Sequence, residues 1–356
     1  MKRSLWRVLG ISMLAVGLLA SGCKKKKKTP AASSKKTTKA VSLQVFTHRH
    51  YPADKKLFQL FTKRTGIKIV VTQNKADELL KRMQIQGKNS KADVLITVDA
   101  GRLVRAEQKG LLQPVTSKTL EANIPAYLRD PKGHWFGLTR RARVIVYAKD
   151  RVKPGDLSTY EALTDKKWKG KVLIRSSNNI YNQSLLASLI VALGEEKAKA
   201  WAKGVVANFA RSPKGNDRDQ MKAIAAKKGD IAVVNTYYVG KMVNSKKKAS
   251  REVVKSLGVF FPNQKDRGTH VNVSGAGVAK YARNKAAAIK FIEFLSSEEA
   301  QKVFAKANYE YPVHPKVKPS KLVQSWGSFK SHKINLRLLG TNNKKAVATF
   351  DAAGWR

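Results

Sequence analysis

The chain has 356 residues, 71 lysines and arginines against 24 aspartates and glutamates, and a formal net charge of +47 at pH 7. This length allows two domains with a core each, and the single cysteine excludes an intramolecular disulfide and a multi-thiolate metal site. The basic excess is typical of nucleic-acid binding, but it is spread over every predicted element without a nucleic-acid-binding motif, so we predict no nucleic-acid partner.

The N-terminal segment has the layout of an export signal. Three basic residues within the first seven positions precede an apolar run at 8–20, which is too short to span a bilayer comfortably. Small residues then lead to Cys23, and the pattern resembles a bacterial lipoprotein signal at 1–23 with Cys23 lipidated. The alternative is an ordinary cleaved secretory signal. Residues 24–40 carry too little apolar surface to fold, which predicts a flexible basic tether beside an anionic membrane surface.

Strands and helices alternate through the first third of the chain. The predicted elements are a strand at 41–46, a helix ending at Gly66, a strand at 67–71, a helix at 77–86, a strand at 93–98 and a helix at 101–109. This alternation predicts an α/β fold with a parallel, doubly wound sheet.

The alternation breaks at 135–147, where two short strands, 135–138 and 143–147, have no helix between them. A second α/β series follows: a helix at 160–166, a strand at 171–175, a long helix after Ser184, helices at 195–208 and 217–228, and a strand at 231–234. Segments 259–261 and 271–280 indicate a return crossing with a tight turn at 274–277. The helices at 285–295 and 297–306 are then expected to pack on the first domain.

Two crossings between two α/β series predict two lobes around a hinged cleft. We place lobe 1 at 41–140 plus 265–312 and lobe 2 at 141–264 plus 313–356. The segment 139–142 is the first crossing.

Adjacent tyrosines, Tyr237 and Tyr238, directly follow the buried-strand pattern at 231–234. Residues just past the carboxyl end of such a strand line the ligand crevice of an α/β sheet. A hard trivalent cation that both phenols reach would deprotonate and bind them. The alternative is that one ring packs in the core and the other caps the strand. Tyr51 and Tyr181 lie in two further strand-to-helix loops and are expected to converge on the same cleft.

These segments together resemble the ferric-iron-binding proteins of bacterial ABC importers, which have the two-lobed periplasmic binding protein fold (type II). The resemblance rests on five motifs: 50–51, 141–147, 175–184, 235–238 and 291–301. It implies that Fe(III) is held by Tyr51, Tyr181, Tyr237 and Tyr238, and that a monomer closes over the ion and delivers it to an ABC permease. His50 matches a position that is a ligand only in some members.

Charge and ligand chemistry agree with that implication. Fe(III) prefers anionic oxygen ligands over thiolates, which suits a cysteine-poor, tyrosine-rich cleft. Four phenolates outweigh three positive charges, so a nearby cation is expected to help, with Arg143 as the first candidate and Arg49 and Lys241 behind it. The helix that starts after Tyr181 would favour an anion such as carbonate in the site.

Three alternatives remain open from the residues alone. The same fold would serve to bind a small anion or organic solute, with the tyrosines as stacking walls. An enzyme that uses tyrosinate-bound iron would need an open coordination position, and a basic adhesin would bind polyanions in a salt-dependent way. We predict that the protein is not an enzyme, because no nucleophile elbow, P-loop or dinucleotide fingerprint is present. The expected location is extracytoplasmic, with a lipid anchor in the membrane.

Overall fold

The computed structural model describes residues 41–49 and 51–356. The predicted signal segment, the tether and His50 lie outside the described residues. Within the described part there are nine β-strands: β1 Ser42–Thr47, β2 Lys68–Gln73, β3 Val94–Val98, β4 Phe136–Ala148, β5 Val172–Leu173, β6 Ile231–Asn235, β7 Leu257–Phe260, β8 Val271–Val278 and β9 Tyr311–Pro312. Among the same residues, no helix is both long and apolar enough to cross a membrane.

Fourteen α-helices are found in the same described ranges. They are α1 Pro52–Thr65, α2 Ala76–Gln86, α3 Ala100–Gln108, α4 Lys118–Asn123, α5 Ile180–Leu193, α6 Glu195–Ala207, α7 Asp217–Ala225, α8 Thr236–Val243, α9 Lys248–Lys255, α10 Lys285–Ser296, α11 Glu298–Asn308, α12 Lys321–Gln324, α13 Arg337–Thr341 and α14 Asn343–Ala352. The mixed α/β class is therefore confirmed.

The strands are hydrogen-bonded in the order β2-β1-β3-β8-β4-β6-β5, and β7 and β9 also pair with β4. The pairs β1–β2, β1–β3 and β5–β6 are parallel, as predicted from the strand–helix alternation. The pairs β3–β8, β4–β8, β4–β6 and β4–β7 are antiparallel, and each includes β4 or β8, which lie at the predicted crossings. The antiparallel strands are those that run between the two α/β series, where no crossover helix imposes a parallel direction.

Strand β4 corrects the prediction of two short strands at 135–147, because it runs unbroken for 13 residues. Its first half pairs with β8 and its second half with β6 and β7. The predicted tight turn at 274–277 is also wrong, since these residues belong to β8. A Cβ atom at Gly275 or Gly277 would stand 2.5 Å from a carbonyl oxygen of the β4 region, so the glycines permit close strand approach rather than a turn.

The helices α10 and α11 pack on the first α/β series, as predicted. The ring of Phe291 contacts the rings of Phe58 and Phe61 of α1 edge-on, with centroids 5.4 and 5.0 Å apart. No helices are predicted in the C-terminal segment from sequence, and its helix α13 packs against both α3 and α5. Trp355 then packs against two aromatic rings of the second series, Trp201 and Phe209, with centroids 5.9 and 4.9 Å apart.

One other element differs in kind from its prediction. The helix expected at 160–166 is two short 3₁₀ helices, Glu161–Thr164 and Lys166–Trp168. The hydroxyl of Tyr160, just before them, donates to the carbonyl oxygen of Arg143 at 2.5 Å. This tertiary hydrogen bond holds Tyr160 against β4. The residues that follow form 3₁₀ helices instead of the predicted α-helix. The boundaries of the two lobes stay a prediction.

Candidate metal centre

The four predicted tyrosines all lie at the start of a helix that follows a strand. Tyr51 immediately precedes α1, Tyr181 is the second residue of α5, and Tyr237 and Tyr238 belong to the first turn of α8. The start of a helix carries partial positive charge from its unpaired N–H groups. Three helix starts therefore favour negative charge on these phenols.

The structure brings phenols from separate segments together. The hydroxyl oxygens of Tyr181 and Tyr237 are 3.2 Å apart, and the rings of Tyr237 and Tyr238 stack with centroids 4.3 Å apart. The Nζ atom of Lys241 lies 3.4 Å from the ring centroid of Tyr51 and 5.4 Å from that of Tyr237. Lys241 thus lies between the rings of Tyr51 and Tyr237, and the four phenols form one cluster.

We call Tyr51 with Arg49, Asp54, Glu310 and Lys241 the Tyr51 group. Arg49 is buried and pairs with Asp54 at 3.1 Å and with Glu310 at 3.2 Å. Its guanidinium also lies 4.8 Å from the Tyr51 ring centroid. Two cations face two carboxylates here, so the group is balanced in charge.

We call the other three tyrosines, with Arg143, Arg175, Arg218 and Asp217, the Tyr181 group. The buried Asp217 accepts hydrogen bonds from Arg143 at 2.9 Å and from Arg175 at 3.2 Å. It also accepts from the backbone N–H of Asn235 at 2.7 Å, two residues before Tyr237. Asp217 therefore ties the strand that precedes Tyr237 to the arginines beside Tyr181.

Several guanidiniums surround the rings of the Tyr181 group. Those of Arg143 and Arg175 lie 5.9 and 5.5 Å from the Tyr181 ring centroid, and that of Arg218 lies 5.0 Å from the Tyr238 ring. Arg143 also donates to Asn182 Oδ1 at 2.7 Å. Asn182 is one residue from Tyr181, so the same bond orients the start of α5.

Arg141 is a further cation beside Tyr181. Its guanidinium is 5.4 Å from the Tyr181 ring centroid and 3.7 Å from Asp99 Oδ2. The side chain is buried, and its Nε and Nη2 atoms make no hydrogen bond to any residue that the structure describes. Arg141 thus adds a buried positive charge beside Tyr181, with Asp99 as its nearest carboxylate.

Burial keeps Tyr51, Tyr237 and Tyr238 protonated without a metal. It raises the pKa of Tyr51 and of Tyr237 well above the ordinary value near 10, and neighbouring acidic groups add to the effect. For Tyr238, burial together with Tyr181 and Asp217 raises the pKa to about 12. A cation that binds these phenols as phenolates must therefore displace protons.

Two of the four charged side chains of the Tyr51 group, Lys241 and Glu310, have lowered pKa values. Burial lowers the pKa of Lys241 to about 8, against the opposing effect of Glu310. Burial would raise the pKa of Glu310, but Arg49, Arg141 and Lys241 outweigh it and lower that pKa below its ordinary value. Glu310 is therefore ionised at neutral pH and balances Arg49.

Sequence reasoning selected Arg143, Arg49 and Lys241, and each touches the cluster. It missed Asp217, Glu310, Arg175 and Arg218. Asp217 is the first residue of α7, where an acidic residue is common, but no sequence pattern predicts the arginines that it binds. No local pattern marks Glu310, because its partner Arg49 is 261 residues away in the chain.

Another set of ligand-type atoms lies in Glu107, Asp130 and His134, within 4.8 Å of one another. Arg337 pairs with Glu107 and donates to Asp130 Oδ1 at 3.0 Å. His134 Nδ1 is 2.8 Å from Asp130 Oδ2. Both carboxylates are thus engaged by Arg337, and the set anchors α13 beside α3 rather than holding a metal.

A groove of about 870 Å³ runs along α1 and β2 and reaches Tyr51, Arg49 and Asp54. Its lining among the described residues does not include Tyr181, Tyr237 or Tyr238. The groove therefore borders the cluster on the Tyr51 side only. The converging phenols, rather than this larger space, define the candidate metal site.

Comparisons with known proteins agree on one class. A family model described as bacterial extracellular solute-binding protein matches residues 89–327. Iron uptake protein A1 of Synechocystis sp. is 50% identical over 100% of this chain and 99% of its own length. The major ferric iron-binding protein of Neisseria meningitidis serogroup B is 28% identical over 81% of this chain and 85% of its own. A solved Trichodesmium structure, described as IdiA (FutA) in complex with iron and citrate ligands, has a TM-score of 0.87 at 50% identity, covering 88% of this chain and 100% of that one.

Proposed function

Because this chain belongs to the family of bacterial extracellular solute-binding proteins, we propose that it captures Fe(III) on its four tyrosines and delivers the ion to an ABC permease. The family consists of substrate-binding proteins, so the chain is a receptor and not an enzyme. Its fold is the type II solute-binding fold. The names of its relatives, which refer to iron uptake and ferric iron, support the choice of ion.

One observation carries the proposal: three separate segments bring four phenols into one cluster, in which Tyr237 is buried and two hydroxyls lie 3.2 Å apart. Phenolate oxygen is a hard, anionic ligand of the kind that Fe(III) prefers. Each phenol that binds the ion releases its proton, and the helix starts and guanidiniums around the cluster offset the charge that remains. We assign Tyr51, Tyr181, Tyr237 and Tyr238 as the ligands.

Finer features belong to the same proposal. Arg143, Arg49 and Lys241 stabilise the phenolates through their charges, and an anion such as carbonate completes the coordination beside Arg141 and the start of α5. His50 is a candidate fifth ligand. Lobe 1 at 41–140 plus 265–312 and lobe 2 at 141–264 plus 313–356 close over the ion as a monomer. Cys23 carries the lipid that holds the receptor at the membrane.

A visible absorption titration tests the proposal. The purified protein is titrated with ferric citrate, alongside Tyr237→Phe, Tyr238→Phe and the control Tyr281→Phe, whose exposed ring lies outside the cluster. We expect a red to violet charge-transfer band that saturates near one iron per chain, is weakened in the two cluster variants, and is unchanged in the control.

If no band appears and no iron is retained after desalting, the second candidate function is favoured. In that case the site binds a small anion or organic solute. The buried Arg141, with two nitrogens that bond no described residue, is the observation in favour of an anion. Direct binding of citrate without iron would then be measured by calorimetry.

A further inference from the structure

Strand β2 is the outermost strand of the sheet. It stands first in the strand order, and β1 is the only described strand that pairs with it. The N–H groups of Lys68 in β2 and of Asn74 just after it donate to carbonyl oxygens at the two ends of β1. Since the backbone groups of successive residues alternate across a strand, those of Ile69, Val71 and Gln73 point away from β1.

This outer edge borders the groove of about 870 Å³ that runs along α1 and β2. Ile69, Val71 and Gln73 all line the groove, and Val71 is 45% exposed. Their N–H and C=O groups make no hydrogen bond to any described residue. A row of such groups on an exposed sheet edge accepts a further strand from another polypeptide.

The groove is apolar in its middle and basic at its ends. Phe58 of α1 and Val71 of β2 line the middle. Helix α1 follows the carboxyl end of β1 and leads into the start of β2. Lys55 in its first turn therefore lies near one end of the groove, and Lys63 in its last turn lies near the other end, where Lys68 begins β2.

The charges of the lining favour an acidic occupant. Lys55, Lys63 and Lys68 are all exposed. Asp54, the one carboxylate among the described lining residues, is buried and pairs with Arg49 at 3.1 Å. The three lysines would attract acidic side chains, whereas they would repel a second copy of this chain, with its net charge of +47, or its own lysine-rich residues 24–40.

We propose that the edge of β2 binds an extended segment of a partner protein, with apolar side chains on alternate residues and an acidic residue at each end. The segment adds a strand to β2 through backbone hydrogen bonds, and its apolar side chains lie on Phe58 and Val71. In this mode of binding the backbone supplies affinity and the alternate side chains supply specificity. The proposal does not depend on iron binding.

The probe is the peptide acetyl-Glu-Thr-Val-Thr-Val-Thr-Glu-amide, which has both glutamates and both valines on one face of an extended strand. It spans about 20 Å, close to the length of six-residue β2. Calorimetry measures its binding to the purified iron-free protein, and mass spectrometry measures hydrogen exchange. We expect one peptide per chain and slower amide exchange in the segment 68–73.

A proline at position 71 tests the strand addition. Val71→Pro removes an N–H that points away from β1, so the pairing of β2 with β1 is kept, as for prolines of natural edge strands. It should weaken peptide binding by about 10-fold or more, whereas Val71→Thr keeps the N–H and should weaken binding less than about 3-fold. If Val71→Pro does not fold, the charge variant below decides.

The charge variant combines Lys55→Gln, Lys63→Gln and Lys68→Gln, and should weaken peptide binding by about 10-fold. A control variant makes the same change at three exposed lysines of α6 and α14, outside the groove, and should bind as the wild type does: Lys197, Lys203 and Lys344. A peptide with lysines in place of both glutamates should bind much more weakly.

Each of the following results would overturn the proposal. If the peptide does not bind, or if its lysine form binds as tightly, the stated chemistry of the partner is wrong. Equal affinity for the charge variant and its control means that the peptide binds elsewhere on the basic surface. Slow exchange at 68–73 without peptide, lost on deletion of 24–40, means that the chain's own segment covers the edge. A dimer in sedimentation that Val71→Pro dissociates means that a second copy covers it.

Discussion

The Tyr51 group and the Tyr181 group present phenols to the same point but balance their charges differently. In the Tyr51 group, Arg49 and Lys241 face Asp54 and Glu310. In the Tyr181 group, Arg143, Arg175 and Arg218 lie beside the rings, and the one carboxylate, Asp217, pairs with Arg143 and Arg175. Positive charge is therefore concentrated beside three of the four phenols, whereas the positive and negative charges around Tyr51 are equal in number.

The largest expected effect is on folding stability. Asp217→Asn leaves Arg143 and Arg175 buried without their carboxylate, and should lower the free energy of unfolding by about 3–5 kcal/mol. Asp54→Asn should cost less, about 1–3 kcal/mol, because Glu310 still pairs with Arg49. Urea denaturation of the iron-free protein measures both.

The control for this pair is Asp150→Asn, which breaks an exposed ion pair with Arg151. It should change the free energy of unfolding by about 1 kcal/mol or less. Equal losses in the free energy of unfolding for Asp217→Asn and Asp54→Asn would show that carboxylates balance the arginines of the two groups in the same way.

A smaller effect is expected on iron binding. Tyr181→Phe removes a phenolate next to Arg143 and Arg175, and should lower iron affinity more than about 100-fold, beyond the loss seen for residues that only support a ligand. Tyr51→Phe should lower it by about 10- to 100-fold, since fewer net positive charges stabilise its phenolate. Competition with a ferric chelator at pH 7 measures both constants. A larger loss of iron affinity for Tyr51→Phe than for Tyr181→Phe would contradict this prediction.

The smallest effect concerns alkaline pH. Burial raises the pKa of Tyr238 to about 12, whereas an unfolded tyrosine titrates near 10. Between these values the unfolded chain has lost the proton and the folded protein keeps it, so stability falls as pH rises through this window. The contribution is fully present below pH about 10 and is lost at about 1.4 kcal/mol per pH unit for one tyrosine.

The comparison of Tyr238→Phe with the wild type isolates that contribution. In urea denaturation of the iron-free proteins at pH 9, 10 and 11, the variant should lose less stability per pH unit than the wild type. The lysines of the two proteins titrate alike and cancel in the difference. Identical slopes would mean that Tyr238 is not more protonated in the folded state.

The sequence predicted most helices and strands of the two α/β series within a few residues. Apolar periodicity and glycine stops are local, so α2, α3, α6 and α10 could be read directly from residue order. Strand direction could not, because the pairing of β4 with β8 joins residues 129 to 140 positions apart. The glycines of β8 suggest a turn when only the sequence is considered. In the structure they are needed because β4 approaches β8 closely, which is a tertiary contact.

The sequence alone shows that Tyr51, Tyr181, Tyr237 and Tyr238 follow strands, and it predicts a helix after Tyr51 and near Tyr181. The helix that begins at Thr236 is not predicted from the sequence. The charges around the four tyrosines depend on tertiary contacts. Asp217 accepts a hydrogen bond from Arg143, which is 74 positions away in the chain, and Glu310 pairs with Arg49, which is 261 positions away. No local sequence pattern predicts either pair. The physical reason is that helix and strand formation depends on neighbours in the chain, whereas a buried charge is stabilised by whichever opposite charge the fold brings beside it.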